Sequence, residues 1–447
     1  MRTAGLRLDQ APPLHLPLRF FLTAPLFTMA AGALLALRGS SLLAAPWPFP
    51  TLALTHLLTL GTLSMVMMGA LYQITPVLVG VRVSGMALIP LVHLGLSVGV
   101  ATFEGWLLGV GGWLLAVALP LLTLSFAVFL GQMALSLIRA PRWNPTVVSI
   151  ALAVGALAGV AVLGLLFAGE YAGYWPLRGH GALAVLHIYL ALGLWISALI
   201  SGVSYAVIPM FYLSGHFPRW VRLLVPSLLP AVPLGGFAVA WLGLPAYWHL
   251  LPLGVGTLAM GVFVTAFWRA MLTRRRRVGD ATLRFWQLGM TCLPVALLAA
   301  VAHTLWPSPR MMVGFGALFL AGFALSVVSG MLLKIVAFLV WLHRFSHQAG
   351  KAHVPLIKDI ITDRAAMRCL WAYLAALALL FGAVATGAEA PARLAGIALT
   401  VFGGAMWWTL LRAARFNPLP QDGADNAAPP PAAEPPPIPD NVRPLRP

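Results

Sequence analysis

His56-Leu-Leu-Thr-Leu-Gly-Thr-Leu-Ser-Met-Val-Met-Met-Gly-Ala-Leu-Tyr-Gln-Ile-Thr-Pro76 is an apolar run with a single histidine at its start. At about 1.5 Å of rise per residue, such a run crosses the ~30 Å hydrocarbon core of a bilayer. Inside it Gly69 is followed by Tyr72 and then Pro76. The same order and spacing return at Gly202, Tyr205 and Pro209, an offset of 133 residues at all three positions, in an apolar span that has His187 near its own start. A third copy, Ser329-Gly330-Met-Leu-Leu-Lys334-Ile-Val-Ala337, keeps the glycine and lacks the tyrosine and proline. Three equivalent helices spaced this far apart read as a repeated helical bundle.

Composition agrees. Hydrophobic residues make up 60% of the 447 and charged residues 9%, which places the chain among polytopic membrane proteins, with lipid as its surroundings. The formal charge of +17 comes from basic residues scattered through short loops. That is a topology signal and not a phosphate-binding face, so no nucleic-acid partner is expected. Cys292 and Cys369 form no metal-spaced motif and read as packing residues.

Hydropathy windows place twelve spans, near 20–37, 51–80, 84–104, 107–137, 145–168, 182–212, 222–243, 247–268, 285–305, 311–342, 369–388 and 393–412. Spans two, four, six and ten look long, which implies tilt or extension beyond the bilayer. The first span is not read as a signal peptide, because removing it spoils the charge parity. With the N-terminus inside, the cytoplasmic loops hold Arg82, Arg139, Arg142, Arg219, Arg222, the run Arg274-Arg275-Arg276-Arg277, Arg344 and Lys358. The outer loops hold only Arg38, Arg178, Arg310 and Arg393. Both termini are therefore expected in the cytoplasm of a bacterial-type inner membrane. Residues 1–17 form a cytoplasmic leader, 18–416 the membrane domain, and 417–447 a Pro-rich tail too poor in apolar residues to fold.

The histidines sort by depth. His56 and His187 lie about five residues into their spans from the outer side, His249 opens span eight there, and His303 closes span nine there. Imidazole is a common ligand for haem iron and for copper, so haem and/or copper are the candidate cofactors and these four the candidate ligands. The alternative is that His249 and His303 are interfacial anchors, and that His56 and His187 are buried polar residues bonded to neighbouring helices. His93 reads as a packing residue. In the Gly-x-x-Tyr-x-x-x-Pro element, glycine permits close helix approach and proline loosens the helix end. Tyr72 and Tyr205 are either interfacial or donors toward a cofactor. Lys334 reads as snorkelling toward the cytoplasm.

Twelve spans in three groups of four, with spans two, six and ten at the core of each, resemble subunit I of the heme–copper oxidases. Leu18-Arg-Phe-Phe21, Thr55-His56-Leu-Leu-Thr-Leu-Gly61 and Gly202-Val-Ser-Tyr-Ala-Val-Ile-Pro-Met-Phe211 are similar to segments of the NnrS-like proteins, some of them linked to nitric oxide. The resemblance implies a low-spin haem histidine at His56 and a copper histidine at His187. It also implies two histidines near the outer end of span ten and a pair on span seven. Here span ten reads Met311-Met312-Val-Gly-Phe-Gly-Ala317 and span seven holds no histidine. The expectation is thus a haem- or copper-binding protein of respiratory or nitric-oxide metabolism, with a respiratory-chain partner and an incomplete oxidase ligand set. A repeat-built transporter and a non-catalytic assembly subunit are the other readings.

Overall fold

Prolines and polar caps cut the apolar runs into helices. Pro48 starts one, and Asn144 starts another by accepting hydrogen bonds from the backbone N–H groups of Thr146 and Val147 at 3.0 and 3.1 Å. Thr362 caps a third by accepting from Ala365 N–H. The computed structural model describes residues 12–275, 279–348 and 354–417. Most of the leader, Arg276, Arg277, Lys351, His353 and the Pro-rich tail lie outside the described residues.

The described residues are all-α. Twelve helices are long and apolar enough to cross a membrane: α1 His15–Leu43, α2 Phe49–Leu78, α3 Met86–Leu107, α4 Trp113–Ile138, α5 Pro145–Tyr171 and α6 His180–Tyr212, then α7 Arg219–Trp241, α8 Ala246–Leu272, α9 Ala281–Leu305, α10 Pro309–Arg344, α11 Asp363–Thr386 and α12 Glu389–Arg415. The chain is a multi-pass membrane protein. α2, α6 and α10 are the longest, at 30, 33 and 36 residues. α4, expected to be long, has 26 and is exceeded by α1 at 29, because a 3₁₀ turn at Gly39–Leu43 extends α1. Short connections make successive helices antiparallel. The bundle therefore has an arginine end, with Arg139, Arg142, Arg219 and Arg344, and a histidine end, with His180, His249 and His303.

α1 packs along α12 and closes the bundle. The two backbones meet at Gly32 and Gly396, where a methyl group would lie 2.5 Å from Thr400 N and 2.2 Å from Ala36 N. At the histidine end Glu389 accepts from the Ser40 N–H and hydroxyl at 2.8 and 2.6 Å, pinning the two helices together.

Three helices change winding part-way. α2 is π-helical over Leu57–Ser64, α6 over Tyr189–Ile196 and α10 over Ala317–Leu325. The wider turn lets a hydroxyl reach the carbonyl five residues back: Thr62 to Leu57 at 3.1 Å, Ser197 to Leu192 at 2.7 Å and Ser326 to Ala321 at 3.4 Å. π-turns are usually single bulges and concentrate at functional sites, so runs of eight or nine residues mark these helices out.

The glycines of the recurring element all serve close approach. A Cβ at Gly69 would lie 2.6 Å from Phe20 Cβ on α1, at Gly202 2.2 Å from Ser149 Cβ on α5, and at Gly330 2.7 Å from Phe285 Cβ on α9. Gly202→Ala is therefore expected to destabilise the protein by about 1–3 kcal/mol through overpacking. Gly131→Ala on α4, where nothing lies within 4 Å, should not destabilise it. Denaturant unfolding of both variants in detergent checks this.

Two side chains take partners that the sequence did not show. Tyr72 is fully buried and donates to Gln132 Oε1 at 2.6 Å, while Gln132 Nε2 donates to the Ser84 and Gly85 carbonyls at 3.1 and 2.7 Å. The tyrosine thus ties α2 to α4 and to the following turn. Lys334 reaches toward the arginine end, as snorkelling requires, and finds there a partner that its sequence reading lacked: it donates to Asp280 Oδ2 at 2.6 Å and lies over the Tyr212 ring, 5.4 Å from its centroid.

Candidate functional site

His56 is the last residue before the π segment of α2, and His187 lies two residues before that of α6. The His56 Nδ1–H donates to the Leu52 carbonyl at 2.8 Å. A carbonyl can only accept, so the proton is on Nδ1 and Nε2 keeps a bare lone pair. On His187, Nδ1 is buried with no hydrogen-bond partner. The Leu52 carbonyl thus fixes His56 in the tautomer that leaves a lone pair on Nε2. A fixed tautomer of this kind is what metal-binding histidines receive from their supporting hydrogen bonds.

His56 faces Phe103 of α3, and His187 faces Phe167 of α5; His56 also contributes to the electrostatic surroundings of His187. Aromatic rings close over them. Phe103 meets His56 edge-on at 5.5 Å and stacks on Trp106 at 5.9 Å; Trp106 meets Phe49 at 5.6 Å, and Phe49 meets Tyr171 at 5.2 Å. Tyr171 meets His180 at 5.7 Å, His180 meets Phe167 at 5.0 Å, and Phe167 meets His187 edge-on at 5.8 Å. A continuous chain of ring contacts thus runs from one histidine to the other.

Two acidic residues at this end did not stand out in the sequence. Glu170 Oε2 accepts from His180 Nδ1 at 2.5 Å in the aromatic chain. Glu104, on α3 between Phe103 and Trp106, is buried with neither carboxylate oxygen partnered. Its signal was legible: an acidic side chain inside an apolar span is costly and marks function.

The remaining candidates lie elsewhere. His249 and His303 line a cavity of about 410 Å³ enclosed by α6 to α10, a wall that includes neither His56 nor His187. Tyr72 is sixteen residues from His56 and Tyr205 eighteen from His187, which is roughly 25 Å along a helix, so neither tyrosine shares the histidine site. The Tyr205 hydroxyl is buried without a hydrogen-bond partner and interacts with Arg222 near the arginine end. His93 is satisfied, with Nε2 2.9 Å from the Thr23 hydroxyl and Phe20 edge-on to its ring at 5.0 Å.

The chain matches no protein-family model, and no curated protein is detectably similar to it in sequence.

Among the described residues no three His, Cys, Asp or Glu side chains converge as a metal cage. A four-ligand zinc site does not fit this donor set. Imidazole is a donor that haem iron and cuprous copper both take. The unpartnered, buried Nδ1 of His187 is the atom that such a group would satisfy.

Proposed function

We propose that this chain is a heme–copper oxidase-like integral membrane protein that holds copper or haem iron between His56 and His187. Its role lies in respiratory or nitric-oxide metabolism, without the full ligand set of a terminal oxidase. One observation carries the reading: His56 is held by the Leu52 carbonyl with a lone pair left on Nε2, and His187 keeps a buried, unpartnered Nδ1, the two joined by a chain of aromatic contacts. The three π segments, and the glycines that seat α2, α6 and α10 against α1, α5 and α9, support treating these helices as equivalent members of a threefold repeat.

In this reading the protein's own groups do defined work. Leu52 orients His56. Phe103 and Phe167 hold the two rings edge-on. Glu170 and His180 form a polar pair where the aromatic enclosure meets the exterior and can carry a proton across it, and Glu104 offers a second proton-holding group inside. A bound copper or haem iron would supply one-electron chemistry. The test is elemental analysis and an absorption spectrum of full-length protein expressed with haem and copper both supplied. About one copper or one haem per chain is expected; a protein free of both overturns the proposal.

The same reading sets the orientation. The arginine end faces the cytoplasm of a bacterial-type inner membrane, by the excess of basic residues there. Cys292 and Cys369 are buried, so an introduced cysteine reports alone. Tyr174→Cys is expected to react with an impermeant maleimide on intact cells and Arg275→Cys only after lysis. The reverse pattern contradicts this orientation.

A further inference from the structure

The cavity between α6 and α10 is separate from the His56–His187 pair and has its own chemistry. Its volume of about 410 Å³ falls within the range of small-molecule sites, about 300–1,000 Å³. The wall is almost wholly apolar, with Trp47, Phe315 and Phe319 among its aromatic faces, and it carries no Asp, Glu, Lys or Arg. Into this wall are set His249, His303 and Tyr189, all at the histidine end and only partly buried.

The protonation of these groups can be read from their partners. His303 Nδ1 lies 3.3 Å from the backbone N–H of Ser308, which can only donate. His303 therefore accepts at Nδ1 and, when neutral, carries its proton on Nε2. His249 Nδ1 faces the Tyr189 hydroxyl at 3.5 Å, the tyrosine ring edge-on to the imidazole at 6.1 Å. When that hydroxyl donates to Nδ1, His249 also carries its proton on Nε2. In that arrangement α8 and α9 each bring an N–H donor to an apolar chamber that supplies no side-chain anion. A ligand complementary to this is neutral, mostly hydrophobic, flat enough to lie against the aromatic wall, and a hydrogen-bond acceptor.

We propose that this cavity is a binding site for a lipophilic carbonyl compound of the quinone type, its carbonyl oxygens accepting from His249 and His303 and its ring lying against Phe315 and Phe319. The imidazole donors and the apolar wall favour this occupant over a hydrocarbon chain, which would leave the imidazole N–H groups unpaired. At His303 they also favour it over a metal ion, because the Nδ1 that would have to carry the proton accepts from Ser308. The proposal does not depend on metal at His56 and His187.

The experiment compares two probes on purified full-length protein by equilibrium dialysis: decyl-1,4-benzoquinone and decylbenzene, which has the same tail and ring without the carbonyls. The wild type should bind the quinone at least tenfold more tightly than decylbenzene. His249→Leu with His303→Leu should remove that preference while leaving decylbenzene binding in place. Ala300→Phe, which narrows the cavity from its wall, should weaken both probes. Equal binding of the two probes by the wild type, or an unchanged quinone preference in the double variant, overturns the proposal. So does tightly bound phospholipid that neither probe displaces.

Discussion

His56→Ala and His187→Ala should each weaken metal or haem retention by at least about 100-fold, since loss of a supporting partner alone costs about 10–100-fold and here the ligand itself goes. His93→Ala, made on an adjacent helix of the same bundle, should leave metal content unchanged, because its imidazole is already bonded to Thr23. The contrast separates ligation from a general effect of removing buried histidines. A His187→Gly variant supplies a further check. Imidazole added to the buffer should restore binding there, as the edge of Phe167 remains to position it. Equal metal content in His56→Ala, His187→Ala and His93→Ala would assign the first two to packing. Gel filtration and helix content must match the wild type for any of the three to count.

The second large effect lies at the other end of the bundle. Asp280 receives the Lys334 ammonium at 2.6 Å, the Thr282 hydroxyl at 2.7 Å and the Leu283 N–H at 3.0 Å. Asp363 accepts from Ala281 N–H at 2.9 Å, so the start of α9 is fastened to both α10 and α11. Lys334→Ala leaves a largely enclosed carboxylate without its cation and should cost about 3 kcal/mol. Lys334→Arg should cost less, and Asp280→Asn with Lys334→Met less than the two single losses together. Denaturant unfolding in detergent reads each.

The same pair sets a pH dependence. Burial pushes the Asp280 carboxyl upward, but the hydrogen bonds from Lys334 and Thr282, the Lys334 charge and the Leu283 N–H outweigh it. The carboxyl is held below its ordinary range. A group depressed on folding contributes stability above its unfolded pKa and loses it as pH falls through the folded value. Stability should therefore decline on acidification below the usual carboxylate range, and the decline should be shallower in Asp280→Asn.

Much of the fold was legible. Twelve apolar runs and the alternation of basic loops yield the spans because lipid demands satisfied backbone and apolar side chains over a fixed length. Recurrence of Gly69, Tyr72 and Pro76 at Gly202, Tyr205 and Pro209 singled out α2 and α6, and those helices also change to π winding. The winding itself was not legible. Its trace in sequence, a hydroxyl placed to reach five residues back at Thr62, Ser197 and Ser326, is an ordinary residue at an ordinary position. Depth along a helix was readable, so His56 and His187 were drawn together as candidates. Azimuth was not, so nothing in the sequence distinguished their surroundings from the separate cavity of His249 and His303. The partners of Tyr72 and Lys334 were hidden for the same reason. Gln132 and Asp280 lie 60 and 54 residues away, and only the packing of helices brings them into hydrogen-bond range.

The central claim is that the two imidazoles are ligands. X-ray absorption at the copper and iron K edges, on full-length protein purified after expression with both available, tests it most directly. A copper centre with two imidazole nitrogens and no sulfur, or a haem iron with two imidazoles added to its four ring nitrogens, is the expected result. It should vanish in the protein carrying both His56→Ala and His187→Ala. An edge too weak for stoichiometric metal, or a sulfur neighbour in the first shell, contradicts the account.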